Sequence, residues 1–221
     1  MNNTLRWLRI LVILVPPLLL FVLEWRHPVP EFSETPWQTI ADSDGWWLQL
    51  HLMQLFLFWA LGLSVICLVT PSMRMASALP LLFSISLFLA FYSVLDAITG
   101  IASGLVVAYT AVLSTPIQLA GNSIIDIFLA NPVIGGGTFS VTGILGGGGW
   151  LAAMLFLARL ITTQYRVHPV VAILFGASGI LFGLSHLPPI GPLGMLCYLI
   201  ACGMTIASQE KTTPQIANPE K

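Results

Sequence analysis

Residues 91–104 read FYSVLDAITGIASG. They sit inside an apolar stretch that runs without a break signal from about residue 77 to residue 114, and Asp96 is the formal charge in the middle of it. A carboxylate in hydrocarbon costs several kcal/mol unless it is neutralised or partnered, so it faces the interior of a helix bundle and marks a site. The register of the stretch agrees: Tyr92, Ser93, Asp96, Thr99, Gly100, Ser103 and Gly104 recur at three- and four-residue steps and share one helix face. Small residues on that face allow close helix approach, and the hydroxyls of Tyr92, Ser93 and Thr99 are expected to support Asp96. A helix over the whole stretch would be roughly 57 Å long, nearly twice the hydrocarbon thickness. It therefore either projects beyond the bilayer or breaks near Gly100 and Gly104.

Working outward, the composition places the chain in a membrane. Of 221 residues, 57% are hydrophobic and 8% charged, and the mean hydropathy is +0.90, against about 25% charged residues in soluble domains. A net charge of -1 with no basic patch leaves nucleic acid without an electrostatic footprint. Cys67, Cys197 and Cys202 have no CxxC spacing and no His nearby on the same segment, so they read as packing residues.

The fold expected is all-α: a six-helix transmembrane bundle forming a single domain over 1–208, followed by a disordered cytoplasmic tail over 209–221. The spans are read near 8–24, 47–69, 77–99, 139–158, 168–186 and 191–208. The first follows Arg6 and Arg9 and lacks a small-residue cleavage site, so it reads as a retained helix kinked at Pro16 and Pro17. With the N-terminus in the cytoplasm, Arg6, Arg9, Arg74, Arg159, Arg166, Lys211 and Lys221 lie inside and only Arg26 lies outside. Both termini are thus expected on the cytoplasmic side of a bacterial inner (plasma) membrane. Trp46 and Trp47 fit an interfacial aromatic belt, and TPIQLAGNSIIDIFLANP (115–132) reads as a short interfacial helix on the outer side, capped near GNS and closed by Asn131 and Pro132.

Depth groups the candidate site. Asp96 lies about 28 Å above the inner boundary, His51 about 6 Å below Trp47 on the descending second helix, and His186 at the outer end of the fifth. Gln54 is one turn from His51 on the same face. Gly176, Gly179, Gly183 and His186 fall in line, which turns His186 toward a neighbouring helix. His51, Asp96 and His186 can ligate zinc or another divalent metal, with His27 or an outer-loop Glu completing the set and metal-bound water serving hydrolysis. His51 and His186 alone suit a haem. Asp96 alone suits a proton-responsive site. The bland reading is an interhelical hydrogen-bond network that locks the bundle, and His168, before Pro169, reads as structural or solvated. No complete catalytic set is legible, which points away from an enzyme and toward a binding or accessory protein for a lipid-like ligand or a partner membrane subunit.

The run GGGTFSVTGILGGGGW (135–150) has neither the Lys nor the strand of a phosphate loop, and Ser140 makes no nucleophile motif. Gly143 and Gly147 read instead as a GxxxG contact. FYSVLDAITGIASG, His51 and the closing SHLPPIGPLGM together resemble a group of uncharacterised bacterial multi-pass integral membrane proteins over about residues 47–208. That resemblance implies a fold of about six helices and brings no function with it. Membrane metal hydrolases of the ceramidase and progestin-receptor type also use His, Asp and Ser, but the helix count and the few intramembrane His residues depart from their pattern.

Overall fold

Pro17 has no N–H to give the carbonyl of Ile13, four residues earlier, and in a membrane that carbonyl must find another donor. Ser64, fully buried on another helix, supplies it through Oγ at 2.8 Å and also meets the Tyr198 hydroxyl at 3.0 Å. Such exchanges tie together an all-helical chain, seen in a computed structural model that describes residues 3–29, 34–70, 75–135, 139–165 and 167–216. Glu31, Arg74, Arg166 and Lys221 lie outside the described residues.

The elements are α1 (Asn3–Glu24), α2 (Pro36–Asp42), α3 (Trp46–Val69), α4 (Met75–Leu95), a π-helical segment (Asp96–Ala102), α5 (Ser103–Thr110), α6 (Thr115–Ala130), α7 (Val141–Tyr165), α8 (Pro169–Leu184) and α9 (Ile190–Ile216). Among the described residues, five stretches are long and apolar enough to cross a membrane: Asn3–Glu24, Trp46–Val69, Ala78–Thr110, Val141–Tyr165 and Ile190–Glu210. The expected fifth span, α8, is apolar but has 16 residues.

Side-chain contacts give the directions. Arg6 pairs with Glu210, and Arg9 reaches the carbonyls of Cys67 and Leu68 and the Gln209 amide oxygen, so the start of α1 meets the ends of α3 and α9. Helix α9 runs on past residue 208, where Gln209 and Glu210 have these partners. Gly149 lies against Phe88 and Ser84, and Gly146 against Tyr92, which sets α7 antiparallel to α4. Gly147 meets Gly183 backbone to backbone, and Gly179 meets Leu151 and Met154, which sets α8 antiparallel to α7. The Gly147 half of the GxxxG reading is thus one side of the crossing whose other side is the Gly179 and Gly183 groove.

The interior is aromatic. Phe58, Phe88, Trp150, Phe175, Phe182 and Tyr198 are all fully buried, with ring centroids 5.0 Å apart for Phe88 and Trp150 and 5.5 Å for Trp150 and Tyr198. Phe58 leads from this column to Tyr92 at 5.2 Å, the last ring before the polar end of the bundle.

The long third apolar stretch does not break at Gly100 and Gly104. It widens into the π-helical turn and continues as α5 to Thr110, so the chain stays helical while one extra residue is accommodated per turn. Beyond the turn, α2, α5 and α6 pack on one another through Ile40, Val107 and Ile125. Helix α2 was not legible in the hydrophobic pattern, although Thr35 and Gln38 form a capping box at its start. Helix α6 begins six residues before the expected GNS cap, with Pro116 in its first turn, and Gly121 lies inside it where Thr110 packs against it. Its other end is as read: Asn131 Oδ1 accepts the N–H groups of Val133 and Ile134.

Candidate functional site

One end of the bundle gathers polar side chains from separate elements. Glu24 ends α1, His27 follows it in the connection to α2, His51 and Gln54 lie one turn apart near the start of α3, Asp96 opens the π-helical segment, and His186 lies in the turn between α8 and α9. Glu24 and Gln54 are 0% exposed, His51 is 3% exposed, His27 and Asp96 are 6% exposed, and His186 is half-buried.

The three imidazoles meet. His27 packs edge-on against His51 with centroids at 5.2 Å and against His186 at 5.3 Å. Trp47 lies tilted over His51 with centroids at 4.5 Å and touches His27 at 5.3 Å. Tyr92, one turn before Asp96, lies 5.9 Å from His186. Gly100, one turn after Asp96, lies under the His51 ring so closely that a Cβ there would overlap it. Asp96 is therefore flanked along its own helix by contacts to two of the three imidazoles.

Backbone carbonyls set the tautomers of two of them. Nδ1 of His27 is 2.8 Å from the Pro28 carbonyl, and Nδ1 of His51 is 2.7 Å from the Trp47 carbonyl. A carbonyl only accepts, so in each neutral ring the proton sits on Nδ1 and Nε2 carries a lone pair. Trp47 has its own structural role: Nε1 donates to the Gly100 carbonyl at 2.9 Å and pins α3 to the π-helical turn. Trp46 Nε1 donates to the Arg26 carbonyl. Both indoles of the expected aromatic belt are thus engaged with protein.

The carboxylates are held differently from expectation. Glu24 Oε1 accepts from Gln54 Nε2 at 2.8 Å, a fully buried bond between α1 and α3. Two of the hydroxyls read as Asp96 support turn elsewhere, Thr99 donating to the Leu95 carbonyl at 2.7 Å and Tyr92 to that of Phe182, and Ser103 on the same face donates to the carbonyl of Ile98. Helical Ser and Thr commonly bond back to the preceding turn, so sharing a face with a carboxylate did not make them its donors. Ser93 Oγ has no partner.

His186 lies two residues past the end of α8, where Ser185 is extended and Pro188 and Pro189 follow. A helical face therefore does not aim it, since the helix has already ended at Leu184. His168 is the cap of α8, its Nδ1 accepting from Val170 N at 3.3 Å. Glu24 is the functional candidate that sequence reading passed over, because it closes an apolar span and looked like the first residue of a loop. Its signal was the four-residue-deep polar string EWRH directly after that span. Among the described residues, no three His, Cys, Asp or Glu side chains stand in an arrangement that could hold a metal ion.

Burial pushes His27 down to about 4, against the opposing effect of its bond to Pro28. A base whose folded value is depressed is neutral in the fold, so the unfolded chain binds the extra proton below about pH 6.5. Stability should fall as pH drops from 6.5 toward 4, by up to about 1.4 kcal/mol per pH unit from this residue. Thermal midpoints in detergent over that range should show the slope, and His27→Gln should flatten it. Parallel profiles for the two proteins would mean that His27 does not carry the effect.

No family model, no curated protein and no solved structure matches this chain.

Proposed function

We propose that this chain is a binding or accessory protein of the bacterial inner membrane, spanning it six times, with a polar ligand site in the outer leaflet built on Asp96, His51 and His186 and extended by Glu24, His27 and Gln54. The observation that carries this reading is the concentration of unpaired polarity. Among the described residues, seven buried side-chain polar atoms lack a hydrogen-bond partner, and five of them belong to Glu24, His27, Gln54, Ser93 and Asp96. A network that served only to lock helices would leave few such atoms, because each costs about 1–3 kcal/mol. An occupant would satisfy them together.

The six-span reading counts α8 as a span. At 16 residues it is about 24 Å long, short of a full crossing, and its packing against both α7 and α9 supports it at membrane depth. The charge bias of Arg6, Arg9, Arg159 and Lys211 against Arg26 supports cytoplasmic ends. Asp44→Cys and Asp126→Cys should then react with an impermeant maleimide in intact cells, and Lys211→Cys only after the membrane is opened. The reverse pattern would invert the topology and move the site to the inner leaflet.

Metal hydrolysis and haem binding fit less well. The lone pairs on His27 and His51 suit a metal, but the carboxylates do not join them in a ligand arrangement. A porphyrin held by His51 and His186 would have to displace His27, which packs against both. Native mass spectrometry of the purified protein tests the binding reading. A bound species present in the wild type and lost in Asp96→Asn, with thermal stability retained, is the expected result. Loss of stability with no bound species in either protein would leave only a structural network.

A further inference from the structure

Helix α1 is the least buried of the five long apolar helices among the described residues, and it packs mainly against α3 and α9. Its outward face carries Leu8, Leu11, Val15, Leu18 and Val22, exposed at three- and four-residue steps. In a membrane such a face meets lipid tails anyway, so it marks no site by itself. Beside it, however, lies an open apolar groove of about 320 Å³, lined by Leu11, Val12, Val15 and Pro16 of α1 and by Ala60 and Leu63 of α3. Pro16 presents a compact ring and Ala60 ends at Cβ, so space remains between two helices that the Ser64 bond to the Ile13 carbonyl holds together.

The groove has a charged mouth. Val12 is one turn from Arg9 along α1, and Leu63 is one turn from Cys67 along α3, whose carbonyl accepts from Arg9 Nε at 2.9 Å. Arg9 Nη2 donates to the Leu68 carbonyl at 3.3 Å and to Gln209 Oε1 at 2.7 Å. These acceptors fix the guanidinium in place, but none of them is charged. Among the described residues no carboxylate pairs with Arg9, and Glu210 is taken by Arg6. The half-buried Arg9 therefore has a settled position and an unneutralised charge, with the N–H groups of Nη1 uncommitted among the described residues.

The apolar lining starts about 4.5 Å beyond Arg9 and continues to about 10 Å beyond it along α1. A cation at the mouth and hydrocarbon directly behind it complement a molecule with an anionic phosphate next to an alkyl chain. Guanidinium suits that phosphate because its N–H groups match two oxygens at once. A helix laid in the groove would cover the lining but would have to bring its own carboxylate to Arg9. We propose that an anionic glycerophospholipid docks here, with its phosphate on Arg9 and one acyl chain in the groove between α1 and α3. The site lies at the opposite end of α1 from Glu24 and does not depend on how the polar cluster is read.

The test titrates the full-length protein, in a neutral maltoside detergent, with dioleoyl phosphatidylglycerol, dioleoyl phosphatidylcholine or inorganic phosphate. The thermal midpoint is followed and bound lipid is counted by native mass spectrometry. Phosphatidylglycerol should raise the midpoint saturably, with phosphatidylcholine weaker by about 10-fold or more, the loss of a charge-assisted contact. Arg9→Gln should abolish that preference. Ala60→Leu, which fills the groove and leaves Arg9 in place, should weaken phosphatidylglycerol by about 10-fold, and Arg159→Gln, an exposed guanidinium on α7, should bind as the wild type does. The wild-type titrations decide the matter if Arg9→Gln does not fold: equal binding of the two lipids overturns the proposal. A rise with inorganic phosphate as large as that with phosphatidylglycerol overturns it too, since an anion would then sit on Arg9 with no chain in the groove. A lipid-free dimer that is lost in Ala60→Leu would give the groove to a second copy of the chain and would equally overturn it.

Discussion

Gly147→Leu should separate α7 from α8 and lower the thermal midpoint more than any single change in the polar cluster. A Cβ at Gly147 would overlap the Gly183 carbonyl, and a Cβ at Gly183 would come within 2.8 Å of the Gly147 carbonyl, so both sides of the crossing are backbone and neither can swing away. Overpacking of a close interior contact costs about 1–3 kcal/mol where side chains can adjust, and a rigid backbone contact puts this substitution at or above the top of that range. Helix α8 is the one least able to absorb it. Its 16 residues are held between α7 and α9, with Gly194 of α9 pressed against Phe182 on its other side. Gly176→Ala, on the same helix but with nothing within 4 Å of the added carbon, is the matched control. It should be neutral or stabilising by a few tenths of a kcal/mol through helix propensity. Equal midpoints for Gly147→Leu and the wild type would show that the glycine contact does not set the helix spacing.

Gly100→Ala should disable the polar end without altering any charged group. The added Cβ would fall on the His51 ring, which is held by Nδ1 on the Trp47 carbonyl and by the tilted Trp47 indole packed against it. The ring can move only by giving up that bond, and Trp47 is in turn fixed to the Gly100 carbonyl. A loss of about 1–3 kcal/mol is expected, together with faster amide hydrogen exchange over residues 96–102. Binding at the polar end should weaken as much as it does in Asp96→Asn. Gly203→Ala, with open space around the added carbon, should change none of the three. Unchanged exchange in Gly100→Ala would mean that the π-helical turn does not depend on the His51 and Trp47 contacts.

The π-helical turn shows where the sequence was readable and where it was not. The stripe Tyr92, Ser93, Asp96, Thr99, Gly100, Ser103 and Gly104 was legible from three- and four-residue spacing; six of the seven are buried and Ser93 is half-buried. That those residues would adopt a wider turn was not, because a π-helical turn is stabilised by what packs on it, here Trp47 and His51 from α3. Facing toward Asp96 was also read too simply. Spacing places hydroxyls on a face but does not choose between a neighbouring carboxylate and the carbonyl one turn back, and Thr99 and Ser103 took the carbonyls.

Position near a helix end was the weakest guide. His186 was assigned to a helical face that stops at Leu184, and Glu24 was passed over because the residue closing a span looks the same as the residue opening a loop. Only the Gln54 amide, arriving from α3, shows that Glu24 is interior. Sequence alone determined that this is an all-helical chain with apolar helices fit for a membrane, since that follows from composition and from the length of apolar runs, both local properties of the chain. It also placed His51 and Asp96 at similar heights along their helices, because height along a helix is a count of residues. Which side chains touch was decided by the tertiary structure: that His27 packs against both His51 and His186, that Glu24 is bonded to Gln54, and that their acceptors are left bare. Those contacts join residues far apart in the chain, and their geometry is fixed by how closely the glycine crossings let the helices approach.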